Sequence, residues 1–155
     1  MKKYELTEET VTVFGKTLYR IRAVRDFGSV KTGEFGGYIE KEENLSHFGN
    51  AWISGDAWVY GDARVSGNAR VFGNAEVFNT RHFFVQGPIG SRDGYVTFYR
   101  TKDDTVEVRC GCFSGSLQEF VNQVEETHGG SRYEKEYKLA AELAKVCIRL
   151  EGESR

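Results

Sequence analysis

The chain has 155 residues with a formal net charge of −2, 39 % hydrophobic residues, 18 Gly and a single Pro. That length suits one domain, or a small domain with an appendage, and the near-neutral balance gives no general attraction to nucleic acid or to an anionic membrane. Three Cys without a signal-like N-terminus point to the reducing cytoplasm, and no apolar run nears the roughly 18 residues of a membrane span.

Taken in order, Thr10–Val13 and Thr17–Ala23 alternate apolar and polar residues on either side of Phe14-Gly15-Lys16. That pattern predicts a β-hairpin. Residues 1–36 read as an N-terminal β cap, closing an edge that would otherwise associate with other edges.

The next stretch repeats with a period of six. From Gly49 to Phe78 it reads GNAWIS, GDAWVY, GDARVS, GNARVF, GNAEVF. Alternation puts Ala and Ile/Val on one side of an extended chain, and Gly-Asn or Gly-Asp marks a bend at each join. Pushed backward and forward, the phase spans 37–84, with His47 in an inward slot. Short strands turning at every sixth residue predict a parallel β-helix with an aliphatic interior. The outward slots hold Trp52, Trp58, Tyr60, Arg64, Arg70, Phe72 and Phe78. Stacking of successive coils sets Trp52 over Arg70, Trp58 over Glu76 and Tyr60 over Phe78. Aromatics interleaved with Arg have the composition of an interface, so Trp52, Trp58, Tyr60, Arg64, Arg70 and Phe72 are expected to meet a partner or another part of the chain.

Residues 85–155 change character and predict an α+β module of order ββαα. Gln86–Gly94 reads as a loop by its Gly and Pro content. Tyr95–Arg100 and Thr105–Arg109 alternate around a polar turn. Ser116-Leu117-Gln118-Glu119 and Ser131-Arg132-Tyr133-Glu134 each have the form of a capping box, and His128-Gly129-Gly130 ends the first of two helices. Leu117, Phe120, Val121 and Val124 form one apolar face; Tyr137, Ala140, Ala141, Ala144 and Ile148 form the other. Cys110-Gly111-Cys112 lacks the further ligands that zinc needs, so no metal is expected. Cys110 and Cys112 read as small, partly buried residues and Cys147 as core filler. The loop Gly87–Arg92 offers amides, the Ser91 hydroxyl and the Arg92 guanidinium, a set able to hold a phosphate. Arg100 and Arg109 can add charge, and Tyr95 and Tyr99 can stack on a base.

The spacing Val59-x-Gly61-x-Ala63 resembles the left-handed β-helix of the hexapeptide-repeat acyltransferases. Handedness comes from that resemblance, since parallel crossovers are otherwise right-handed in about 98 % of cases. The whole arrangement, through Leu18–Ala23, Gly36–Glu40, Asn44-Leu45-Ser46, the hexads, Gly87–Arg92, Thr97–Arg100 and Arg109–Phe113, resembles a hexapeptide-repeat protein type of phages and prophages. The resemblance implies a mainly β chain with a short left-handed β-helix, a homo-oligomer (a trimer foremost), and a role against host defence in the bacterial cytoplasm. The reading that follows is a non-catalytic protein, without cofactor, that captures a small anionic signal of the nucleotide type. Its alternatives are an inhibitor gripping a host protein through the solenoid faces, and an acyltransferase using coenzyme A with His47, His82 or His128 as base.

Overall fold

The computed structural model describes residues 2–152 and divides into two compact units, Met1–Thr80 and Arg81–Arg155. The first unit begins with the expected hairpin, β1 (Tyr4–Val13) and β2 (Lys16–Ala23), joined through Phe14 and Gly15 with both φ angles positive. β3 (Phe35–Ile39) runs antiparallel to β2. Its Gly36 and Gly37 are required by close approach. A Cβ at Gly36 would lie 2.5 Å from the Ile53 carbonyl oxygen, and one at Gly37 would lie 2.7 Å from that of Ala57.

The hexads contribute four strands of two residues each: β4 (Trp52–Ile53), β5 (Trp58–Val59), β6 (Arg70–Val71) and β7 (Glu76–Val77). They pair in parallel, Trp52 beside Arg70 and Trp58 beside Glu76, and Tyr60 stacks on Phe78 at 5.1 Å. Ala51, Ile53, Ala57, Val59, Ala63, Val65, Ala69, Val71, Ala75 and Val77 are all buried, as the alternation predicts.

The left-handed β-helix itself is not formed. Strands are divided among separate sheets, in the order β1-β2-β3-β5-β7 and, apart from it, β4-β6, and no sheet of the described residues closes or winds as a solenoid. Two causes are visible. Each hexad gives only two residues to a ladder, and the third phase of the repeat yields a single bridge, Leu45 to Val65. One ladder is then absorbed into a larger sheet led by the antiparallel hairpin. The architecture is a mixed, β-rich fold with separate sheets and two helices.

Pins within the first unit are polar as well as apolar. The buried Asn44 side chain donates to the carbonyls of Gly61 and Ala63 at 3.2 and 2.9 Å and accepts from the Lys41 amide. Tyr4 donates its hydroxyl toward the carbonyls of Leu45 and Glu42, at 2.7 and 3.0 Å. Lys3 is buried, with Nζ 2.7 Å from the Ala51 carbonyl and 4.8 Å from the centre of the Phe27 ring. Burial, and then the charge of Arg25, bring its pKa down to about 8. The unfolded chain holds that proton up to about pH 10.4. Stability is therefore gained as pH rises from about 8 toward 10 and is absent below that window. In Lys3→Met this contribution disappears, so the gap in urea midpoint between the variant and the native chain should change between pH 7.5 and pH 9.5. A gap constant across those pH values would show that Lys3 does not titrate early.

The second unit carries β8 (Phe83–Ile89), β9 (Gly94–Arg100), β10 (Val106–Cys110) and β11 (Phe113–Ser116) in one antiparallel sheet, ordered β11-β10-β9-β8. Helices α1 (Leu117–His128) and α2 (Arg132–Cys147) follow. The order is thus ββββαα rather than ββαα. Of the stretch from Gln86 to Gly94, expected as loop, Gln86–Ile89 belongs to β8 and Gly94 opens β9; only residues 90–93 turn. Pro88 is tolerated because β8 is an edge strand with a register shift between Gln86 and Ile89, where a missing amide costs no ladder bond. At the N-terminus of α1, Glu119 N–H donates to Ser116 Oγ at 3.1 Å, and Ser116 N–H donates to the Glu119 carboxylate at 2.8 Å. The second box does not form: Ser131 turns back and donates to the His128 carbonyl at 2.7 Å. The core of this unit joins Val96, Phe98 and Val108 to Phe120, Val124, Ala140, Ala141, Ala144 and Ile148.

Candidate functional site

The residues expected to bind a ligand divide into two groups. The first is the tip of the β8–β9 hairpin. Gly90 has φ +81, and an added Cβ would lie 1.8 Å from the Tyr137 hydroxyl, so the tip rests directly on α2. The Gly90 amide donates to Glu136 Oε1 at 2.7 Å, fixing that contact. Ser91, Arg92 and Asp93 follow, all exposed, with Asp93 at φ +50 to close the turn. Tyr95 is 42 % exposed, and its ring lies so close to Gly87 that a Cβ there would meet Cδ2 at 2.5 Å. Arg92 makes no ion pair and no hydrogen bond among the described residues. Its charge nevertheless reaches Tyr137, whose hydroxyl is pushed up in pKa by burial and by Cys110 and drawn back by Arg92. Ser91, Arg92 and Tyr95 thus share one exposed tip.

The second group has other work. Arg100 is buried and donates through Nε to Asp104 Oδ1 at 2.8 Å. Asp104 also accepts from the amides of Glu151 and Gly152, each at 2.8 Å, and these bonds hold its carboxyl below the usual range. Arg100 therefore closes the β9–β10 turn. Tyr99 is fully buried, and burial together with Glu107 pushes its phenol far up in pKa. Its hydroxyl has no hydrogen-bond partner among the described residues. Arg109 is half-buried on β10, in register with Thr97. The structure does not bring Tyr99 and Arg100 to the surface that carries Arg92.

The aromatic slots of the hexads turn against their own chain. Trp52 is buried with its ring edge-on to Phe27 at 5.3 Å. Tyr60 is buried in a cluster with Val13 and Leu18 of the hairpin, against which Tyr38, Trp58 and Phe78 pack, and it donates to Glu76 Oε2 at 2.6 Å. Phe72 is half-buried, whereas Arg64 and Arg70 are exposed. Arg64 lines, with Lys41, Glu43, Gly61, Asp62 and Ala63, a cleft of about 220 Å³ that carries both cations and carboxylates.

The histidines are engaged. His47 stacks on Tyr4 at 4.2 Å, and its Nδ1 accepts the Lys3 amide at 3.0 Å. That assigns its proton to Nε2, which lies 2.8 Å from Glu42 Oε1. The imidazole has no lone pair free to act as a general base. His82 is buried, and burial followed by the charge of Arg100 lowers its pKa; His128 packs against Tyr133 and Tyr137.

The three cysteines are free thiols. Cys110 is half-buried and its pKa raised by burial, whereas Cys112 is exposed and Cys147 lies only partly inside. Among the described residues, no group of three or more His, Cys, Asp or Glu is placed to hold a metal ion. No helix among them is long and apolar enough to cross a membrane.

No family model matches the chain, and no curated protein matches it significantly.

Of two features of the site that sequence reading missed, one could not have been found from sequence and one could. The contact of Gly90 with Tyr137 joins residues far apart in the chain. The commitment of Arg100 to Asp104 was within reach, because the two lie four residues apart across a tight turn.

Proposed function

We propose that this chain is a non-catalytic binding protein that captures a small anionic ligand of the nucleotide type at the β8–β9 tip. The observation that carries the reading is the exposed Arg92 guanidinium, which has no ion-pair partner among the described residues and sits on a Gly-bordered turn beside a half-exposed Tyr95. A guanidinium donates two parallel N–H bonds to phosphate oxygens, and a phenol ring gives a base a face to stack on. His47 speaks against acyl transfer, since both ring nitrogens are already in use. The resemblance to phage and prophage proteins supplies the proposed setting: neutralising a nucleotide signal of host defence in the bacterial cytoplasm.

The test is thermal denaturation with a panel of mono-, di- and cyclic nucleotides, with inorganic phosphate and coenzyme A alongside. A nucleotide should raise the melting temperature, and Arg92→Ala should weaken its binding about ten- to hundredfold, the range for a hydrogen bond to a charged group. Absence of any shift across the panel would overturn the reading, as would a shift that Arg92→Ala leaves unchanged.

A further inference from the structure

The β10–β11 hairpin of the second unit ends in a turn that the β8–β9 tip does not use. Cys110 closes β10 in register with Phe113, the first residue of β11, so Gly111 and Cys112 alone make the turn. Gly111 takes φ +57, the left-handed conformation that a two-residue hairpin demands of its first central residue. The two thiols differ in access. Cys112 is exposed at the turn, whereas Cys110 is half-buried, packs against the core shared with the helices, and accepts a hydrogen bond from the Tyr137 hydroxyl. They are close enough for charge on Cys112 to act on Cys110. With one residue between them their Cα atoms lie at most about 7 Å apart, and the bend shortens that into the span of about 4.4–6.8 Å that a disulfide bridges. A Cβ built on Gly111 would meet nothing within 4 Å, so the turn has room to re-form as the sulfurs approach.

We infer that Cys110 and Cys112 form a dithiol that exchanges with low-molecular-weight disulfides, cycling between two free thiols and one intrachain disulfide. Cys112 is the sulfur that an incoming disulfide can reach. Its thiolate attacks one sulfur of that disulfide, whose S–S bond breaks, and one thiolate leaves. Burial raises the pKa of Cys110, so it is the poorer first attacker and acts second. Its thiolate attacks the Cys112 sulfur of the mixed disulfide and expels the second thiolate. The incoming disulfide gains two electrons, the pair loses two, and the two thiol protons pass to solvent or to the released thiolates. The ring closed across one glycine is small, and a strained, exposed disulfide is readily reduced. The pair therefore rests as the free thiols seen in the structure, and excess thiol returns it to that state.

The probe is the aromatic disulfide DTNB, whose released thiolate is yellow, added in equimolar amount to the full chain carrying Cys147→Ala so that only the pair is counted. Both halves of the probe should be released, and the protein should become lighter by two hydrogens with no adduct. Adding Cys110→Ala should release one thiolate and leave a nitrobenzoate adduct on Cys112. Adding Cys112→Ala instead should slow release by about tenfold or more, since the remaining sulfur is half-buried. Excess reduced glutathione should restore both thiols. The unsubstituted chain should give the same disulfide, located by peptide mapping, so the result does not depend on any variant folding. A stable adduct on Cys112 while Cys110 is intact would overturn the inference. So would a disulfide that includes Cys147, or a Cys112 that does not react.

Discussion

Replacing Phe98 by Ala is expected to cost about 3–5 kcal/mol in unfolding free energy, the usual loss for a fully buried aromatic. Phe98 is wholly buried at the centre of the second unit. Its ring lies 6.0 Å from that of Phe84 on β8 and 5.9 Å, edge to face, from that of Phe120 on α1. Phe120 in turn meets Tyr137 edge-on at 5.7 Å, so one ring joins the sheet to both helices. Truncation removes the link on which α1 and α2 rest. The amides of α1 and α2 should then lose protection from hydrogen exchange, and the urea midpoint should fall. A loss below about 1 kcal/mol would mean that the helices are held by something other than this cluster. The consequence reaches the tip. Tyr137 is the surface on which Gly90 sits, so a loosened α2 also releases the turn that presents Arg92.

The second large effect is expected at Leu18→Ala, a loss of about 2–5 kcal/mol. In the structure Leu18 is fully buried with Val13 and Tyr60, and Trp58 and Phe78 pack on the same cluster. Removing it opens a cavity between the hairpin and the hexad aromatics. Trp58 should become wetter, shifting the tryptophan emission to the red as stability falls. Unchanged emission with a small stability loss would mean that this cluster does not hold the hairpin to the hexads.

Much of the local structure was legible because its causes are local. Alternation of Ala with Ile or Val fixed which hexad residues face inward, and every one of them from Ala51 to Val77 is buried. Phe14-Gly15 turned the first hairpin, and Ser116 with Glu119 capped α1, both through groups within a few residues of each other. Of the candidate site, the exposed Ser91, Arg92 and Tyr95 share one tip, as their neighbourhood in the chain required.

The rest depended on partners distant in sequence. A period of six sets the bends and the parallel pairs, but not whether the ladders close into one solenoid. Here the antiparallel hairpin took one ladder into its own sheet and left the other apart. The outward aromatics were legible as sticky faces, yet only tertiary packing decided that Trp52 meets Phe27 and Tyr60 meets Leu18. Gly87 and Pro88 read as loop because composition carries no information on whether a strand is at an edge, where the missing amide is harmless. In the same way sequence supplied five candidate ligand-binding Arg and Tyr residues on β9 and β10 or just before them, Arg92, Tyr95, Tyr99, Arg100 and Arg109. Burial withdrew Tyr99, Asp104 claimed Arg100, and Arg92 stayed at the surface. Sequence by itself determined the inward pattern, the turns and the helix start. Tertiary structure decided which faces are covered and which charges are spent, because covering and neutralising a group requires partners that no local pattern specifies.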